Sequence, residues 1–404
     1  MQRQSFRQGF IAVTCVALVL LMGCGTSRPR GFITVTEFPP GSATEEAPRS
    51  WQDARVGDRV EYVFDAAVSG PSRGGRSSAG QLFVEVVAVQ APWVWLSIRV
   101  TRNDGQPHPH PFLSHDFVLP MRMGQAPPNL PDPIKDGSTS ITHLWAFAAG
   151  QHWSARQFAR DDSMGDGPMQ QRLYATTPGP LYLTNGLLRI YFGAVSPDGF
   201  AIHSLALASF QRGSDATGGT PPAMDHPWGP GTWYETREHS SRGIFERRVC
   251  LDAEQGYLLR KTWTRPQAGK RCEDFQGAAV LSLEDALLNL VNKSVGVSTW
   301  PPRDHGAPLS RQGRLHLGQD SLPAWFHEEP DPMTDESLKV NVHGFATDVW
   351  SPVLRGLPVE ARFNALSVET FWQPWAGVHH FVENSRLSSW GTWLEPSELS
   401  SSTR

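Results

Sequence analysis

Asp225-His226, Glu235 and His239 place two imidazoles and two carboxylates around a glycine-rich turn. Such a set could act as general acid and base, or hold a metal ion that activates water. It brings no recognisable nucleophile or pocket with it, so it stands as a candidate catalytic set and nothing more. In an extended segment the imidazoles of His108-Pro109-His110 point to the same side. His115-Asp116 follows, so this Pro-rich stretch could seed a metal site at His108 and His110. A solvated loop explains the same residues. His379 and His380 are adjacent, point to opposite faces of a strand and cannot easily share one ion, which leaves one buried and one exposed. The chain has no phosphate-binding glycine loop and no His-Glu-x-x-His.

The elements that must position these residues read mainly as β. Val60, Tyr62, Phe64, Ala66 and Val68 alternate with Arg59, Glu61 and Asp65, the period of a half-buried strand. Gly70 to Gly80 reads as a Gly/Ser/Arg loop. Leu82 to Val89 and Trp93 to Val100 read as strands broken at Ala91-Pro92, since proline cannot donate to a ladder. Further strands are expected at 154–158, 172–176, 181–192, 200–210, 232–239, 244–251 and 257–264, with Ser196-Pro197-Asp198-Gly199 as a turn. Ser282 can cap a helix running to Val291, with Asp285 at the capping-box position and Leu283, Ala286, Leu287, Leu290 and Val291 on one face.

The expected fold is therefore mainly β: antiparallel sheets forming a sandwich or half-barrel, in one body or two β domains, with at least one short helix. Gly218-Gly219, Pro221-Pro222 and Gly229-Pro230-Gly231 mark a boundary. This gives a first β domain over 51–210, a linker over 211–230 and a second β domain over 231–395, with its helix near 282–292. Trp350, Trp372, Trp375, Trp390 and Trp393 gather in the last fifth of the chain. Strands favour aromatics, so they are expected to fill a core; exposed, they would suit sugar stacking.

At the N-terminus, Arg3 and Arg7 precede a 13-residue apolar run, Phe10–Met22, and Gly23 then precedes Cys24. The run is short for a membrane span, which takes ~20 apolar residues, and it has the layout of a signal peptide. Leu21-Met22-Gly23-Cys24 resembles the lipobox of bacterial lipoproteins. The resemblance implies cleavage after residue 23 and acylation of Cys24. Because Gly25 is not the aspartate that retains enteric lipoproteins at the inner membrane, it also implies the periplasmic face of the outer membrane. Segments such as Val56-Gly57-Asp58-Arg59-Val60-Glu61-Tyr62 and Gly231-Thr232-Trp233-Tyr234-Glu235-Thr236-Arg237 look like those of uncharacterised lipoproteins from GC-rich Gram-negative bacteria, which carry no activity over.

Residues 24–50 read as the lipidated N-terminus and a tether, and 396–404 as a disordered tail. Within the tether, Phe32-Ile33-Thr34-Val35-Thr36 alternates and could add an edge strand to the body or to a partner. Cys15 lies in the apolar signal. Cys250 and Cys272 are then the remaining pair, and an oxidising compartment points to a disulfide; a metal pair or two free thiols are the alternatives. The formal charge is −4, and losing two arginines and no acid with the signal takes it to −6. A mildly acidic body gives no electrostatic reason to bind nucleic acid. The sequence thus supports a membrane-anchored envelope protein without a cofactor, whose β body binds an envelope protein, a lipid or a glycan. The alternative is a secreted hydrolase, with or without a metal at its centre, built on the His/Asp/Glu sets.

Overall fold

The structure is a computed structural model that describes residues 34–36, 50–70, 74–127, 130–131, 140–160, 169–196, 199–264, 272, 278–295, 310–330, 339–372 and 380–394. Cys24, Trp375, His379, the signal segment and the tail lie outside the described residues.

The strands before residue 212 are β1 (Thr34–Thr36), β2 (Arg59–Ser69), β3 (Arg76–Gln90), β4 (Trp93–Arg102), β5 (Phe117–Arg122), β6 (Ser140–Ala148), β7 (Gln151–Arg160), β8 (Met169–Ala175), β9 (Leu187–Ser196) and β10 (Gly199–Gln211). They pair antiparallel in the order β1-β6-β7-β8-β9-β10-β2-β3-β4-β5. A two-residue strand, β11 (Gly218–Gly219), pairs with the end of β3. After it come β12 (Thr232–Ser240), β13 (Gly243–Glu254), β14 (Tyr257–Thr264), β15 (Ala279–Ser282), β16 (Ser310–Leu317), β17 (Asp320–Pro330), β18 (Lys339–Ala346), β19 (Ser367–Trp372) and β20 (His380–Thr392). Their order is β15-β14-β13-β12-β20-β19-β18-β17-β16, again antiparallel. One parallel bridge, Glu254 to Arg122, joins β13 to β5 and makes the two sets one large sheet.

Alternation places the core. Val60, Tyr62, Phe64 and Ala66 of β2 are buried, as are Leu82, Val84 and Val86 of β3 and Leu96, Ile98 and Val100 of β4. The apolar stripe of the helix α1 (Leu283–Ser294) joins the same core through Leu283, Ala286, Leu287, Leu290 and Val291. α1 packs on β2 and β10, although it lies more than 70 residues beyond both in sequence. A second apolar cluster gathers Leu315, Leu322, Ala324 and Leu387 of the later strands with Leu354 and Leu366 from the segment between β18 and β19.

The helix starts as its sequence dictates. The Ser282 hydroxyl accepts from the Asp285 backbone N at 3.1 Å and donates to Asp285 Oδ2 at 2.8 Å. Two local expectations fail. Residues 76–80 are strand rather than loop, because β2 continues to Ser69 and pairs with Arg76 to Glu85 of β3. Gly179–Thr184 is a buried 3-10 helix rather than strand. Pro180 fixes a helical φ near its start and Asn185 closes it in a left-handed conformation, φ 51°. Thr34–Thr36 is the edge strand that its alternation allowed, placed on β6.

Candidate functional site

Asp225 and His226 sit in the segment leading into β12, where the earlier and later strands meet. The His226 ring lies 5.0 Å from His115 and 4.9 Å from Trp350, and His115 lies 3.9 Å from Trp350, centroid to centroid. Arg362, 1% exposed, closes the cluster: its Nε donates to the Leu357 carbonyl at 2.9 Å and its Nη2 to the Asp225 carbonyl at 2.6 Å. Arg355 Nε stands 2.6 Å from Asp225 Oδ1. Burial lowers the pKa of His226, with His115 and Arg362 adding to it, and burial then Arg362 lower that of His115. Both imidazoles thus favour the neutral form, packed tilted against each other and edge-on to Trp350. Val118 N donates to the His226 carbonyl and Trp228 N to the Val118 carbonyl, tying this segment to β5. Asp225 and His226 therefore pin two parts of the fold together.

Glu235 is occupied elsewhere. Arg248 Nε donates to its Oε1 at 2.7 Å, and Ser389 Oγ to its Oε2 at 2.5 Å. His239 lies four residues further along β12, ~13 Å away at strand rise. The four candidate residues therefore form a structural joint, a mid-strand ion pair and a strand end, rather than one constellation.

His108 is buried, with Nε2 3.0 Å from Ser78 Oγ and Nδ1 accepting from His110 N at 3.1 Å. His110 Nδ1 in turn accepts from Phe112 N at 3.2 Å and so caps a 3-10 turn, Pro111–Leu113. Burial, with His110 and Arg102 nearby, pushes the His108 imidazole down to about 4. The lone pairs that would bind a metal are spent on backbone N–H groups. Among the described residues, no group of three or more His, Cys, Asp and Glu is placed to hold a metal ion. His380 is the first residue of β20.

Gly70-Pro71-Ser72-Arg73-Gly74 spells Gly-x-Ser-x-Gly, with residues 71–73 outside the described residues, yet in sequence it falls between the antiparallel strands β2 and β3. A nucleophile elbow needs a strand-to-helix turn. Cys250 on β13 and Cys272 are positioned for a disulfide, with Cα atoms 5.6 Å apart.

His239 does line a groove of about 590 Å³ around the β12–β13 turn, with Glu238, Phe245, Thr370, Glu383 and Asn384 among its walls. Glu238 pairs there with Arg247 at 3.2 Å, and Thr370 Oγ1 donates to Asn341 Oδ1 at 2.9 Å. The residues arrive from β12, β13, β19 and β20, so only strand pairing assembles them.

Two buried acids carry no sequence signal. Asp58 accepts from Arg55 N, Tyr182 OH, Arg212 Nη1 and Gly213 N. Glu284, in the first turn of α1, is 3% exposed and accepts from Asn185 Nδ2 at 3.2 Å. Burial pushes its pKa up to about 7. Asn185 is backed by Gly256, whose φ of 86° favours glycine and where a Cβ would meet the Asn185 amide at 3.1 Å. An acid in the first turn of an apolar helix reads only as a dipole partner.

These features define a mostly antiparallel β protein with a helix packed into the core of its first strands. The chain belongs to the family described as "Family of unknown function (DUF6068)", whose model matches residues 3–398. No curated protein matches the chain.

Proposed function

We propose that this chain is a membrane-anchored envelope lipoprotein, most plainly a non-enzymatic binding module, whose β body takes a cell-wall glycan in the groove around the β12–β13 turn. The observation that carries this reading is the division of labour along β12. Glu235 is held by Arg248 and Ser389, and His226 is packed against His115 and Trp350 in the joint, whereas the far end opens into a polar groove with Phe245 in its wall. Hydroxyl, amide and carboxylate groups beside one aromatic ring suit sugar hydroxyls and ring stacking. An acyl chain fits less well. The core of the first strands is filled by α1, so the lipid-carrier form of this reading finds no support there.

The anchor is tested by labelling cells with a palmitate analogue: Cys24→Ser should lose the label, and retained label would sink the lipoprotein reading. The groove is tested by titrating the soluble form, without residues 1–24, with cell-wall glycan fragments. Phe245→Ala should weaken binding by about 1 kcal/mol, roughly fivefold. The hydrolase reading keeps one foothold, since His239 lines the groove beside Glu238 and Glu383. Turnover of a glycosidase, esterase or peptidase substrate that disappears in His239→Ala would decide for it.

A further inference from the structure

β1 runs antiparallel to β6 with Thr34 opposite Phe147 and Thr36 opposite Trp145. The chain therefore joins the body beside the β6–β7 turn, where Ala148 faces Gln151. The β9–β10 hairpin lies at the opposite end of the same strands: Ser140 faces Ala159, Arg160 faces Gln170, Gln170 faces Phe192 and Ser196 faces Gly199. Ten peptide steps separate Cys24 from Thr34. As a coil they span ~17 Å root-mean-square, and fully stretched ~35 Å. β6 has nine residues and is ~26 Å long. A lipid at Cys24 would therefore hold the β6–β7 end close to the bilayer, and laying the far end on it would demand a nearly stretched connection.

From this geometry we propose that the β6–β7 turn is the membrane-facing end of the body, with Phe147 as the aromatic side chain that meets the lipid surface. This rests on the lipid anchor at Cys24. Phe147 is 40% exposed and packs at 5.0 Å against the exposed His152. A ring with a polar neighbour suits the boundary between headgroups and acyl chains. Val195 and Phe200, also exposed, stand at the other end and clear of the membrane.

The test uses the full-length lipidated protein in vesicles of phosphatidylethanolamine and phosphatidylglycerol that carry an acceptor-labelled lipid. A donor dye is placed on His152→Cys or on Phe200→Cys. Flotation reports the anchor, and energy transfer reports the orientation. Both variants should float, with several-fold more transfer from position 152 than from 200. Equal transfer, or more from 200, in protein that floats would overturn the orientation and leave the anchor standing. Failure to float would overturn both. Adding Phe147→Ser to the 152 variant should reduce transfer without changing flotation; unchanged transfer would overturn the part given to the ring.

Discussion

Tyr182 donates its hydroxyl hydrogen to Asp58 Oδ2 at 2.6 Å, across 124 residues of sequence. The same oxygen accepts from Arg212 Nη1 at 2.7 Å, and Oδ1 accepts from Gly213 N at 2.8 Å. One buried carboxylate thus fastens the start of β2, the 3-10 helix before β9 and the exit from β10. Asp58→Ala would leave a tyrosine hydroxyl, two backbone N–H groups (Arg55 and Gly213) and a guanidinium N–H without this acceptor. The expected loss is about 3 kcal/mol, read from the urea midpoint at unchanged slope. A loss below about 0.5 kcal/mol, the range of ordinary surface substitutions, would refute this role.

Leu287 of α1 is fully buried in the core formed largely by the first strands. Leu287→Ala should therefore cost about 2–5 kcal/mol. Because the helix comes from beyond residue 280, the loss should lower the unfolding free energy of the earlier strands as well as the later ones. Hydrogen exchange in β2 and β10 is the measurement. Protection there unchanged by the substitution would contradict the packing.

Two groups of titrations act in opposite directions. Burial lowers the folded-state pKa of His108 to about 4, and it lowers those of His115, His203 and His226. The unfolded chain then binds more protons below about pH 6.5, so the stability these residues hold above that pH is lost as pH falls toward 4. The thermal midpoint should drop across this window, while the His108 ring keeps its neutral NMR shifts down to about pH 5. A His108 ring that titrates near 6.5 would disprove its burial as a neutral donor.

Glu284 works the other way. Its folded pKa is raised from 4.5 to about 7, so the contribution is intact below 4.5 and is lost as pH rises through 7. Glu284→Gln keeps an acceptor for Asn185 and removes the buried charge. The variant should match the parent at pH 5 and exceed it at pH 8, by on the order of 3 kcal/mol at most. Equal stability at both pH values would show that the carboxyl is hydrated in the folded protein.

The Cys250–Cys272 pair encloses a sequence separation of 22 residues. A non-reduced digest should contain the cross-linked peptide, and reduction should cost about 3 kcal/mol by the chain-entropy estimate. Two freely alkylated thiols in protein isolated without reductant would refute the link.

Local sequence determined most of the elements. Period-two alternation found β2, whose Val60, Tyr62, Phe64 and Ala66 face the core, and strand-like runs placed β4, β12, β13 and β14 to within a few residues. Ser282 and Asp285 fixed the start of α1 through hydrogen bonds that need no tertiary context. β5, β6, β16 and β17 escaped. β5 is apolar on both faces and sits in a Pro-rich stretch, and β16 begins with a run of exposed polar residues, so neither presents a clean alternation.

The candidate site was much less legible, because titratable residues take their roles from partners that are distant in sequence. Asp225, His226, Glu235 and His239 are close along the chain, yet a strand spreads Glu235 and His239 by ~3.3 Å per residue and gives each its own neighbours. Arg248 and Ser389 claim Glu235, while His115, Trp350 and Arg362 claim the Asp225-His226 segment. The groove at His239 and the buried Glu284 exist only once β20 pairs with β12 and α1 enters the core of the first strands. The sequence by itself determined many of the strands, the capped helix and the two cysteines able to pair, since each depends on neighbours a few residues away or on residue type. The tertiary structure decided which acids are buried, which imidazoles are held neutral and which polar groups share a groove, because burial and long-range pairing set those energies.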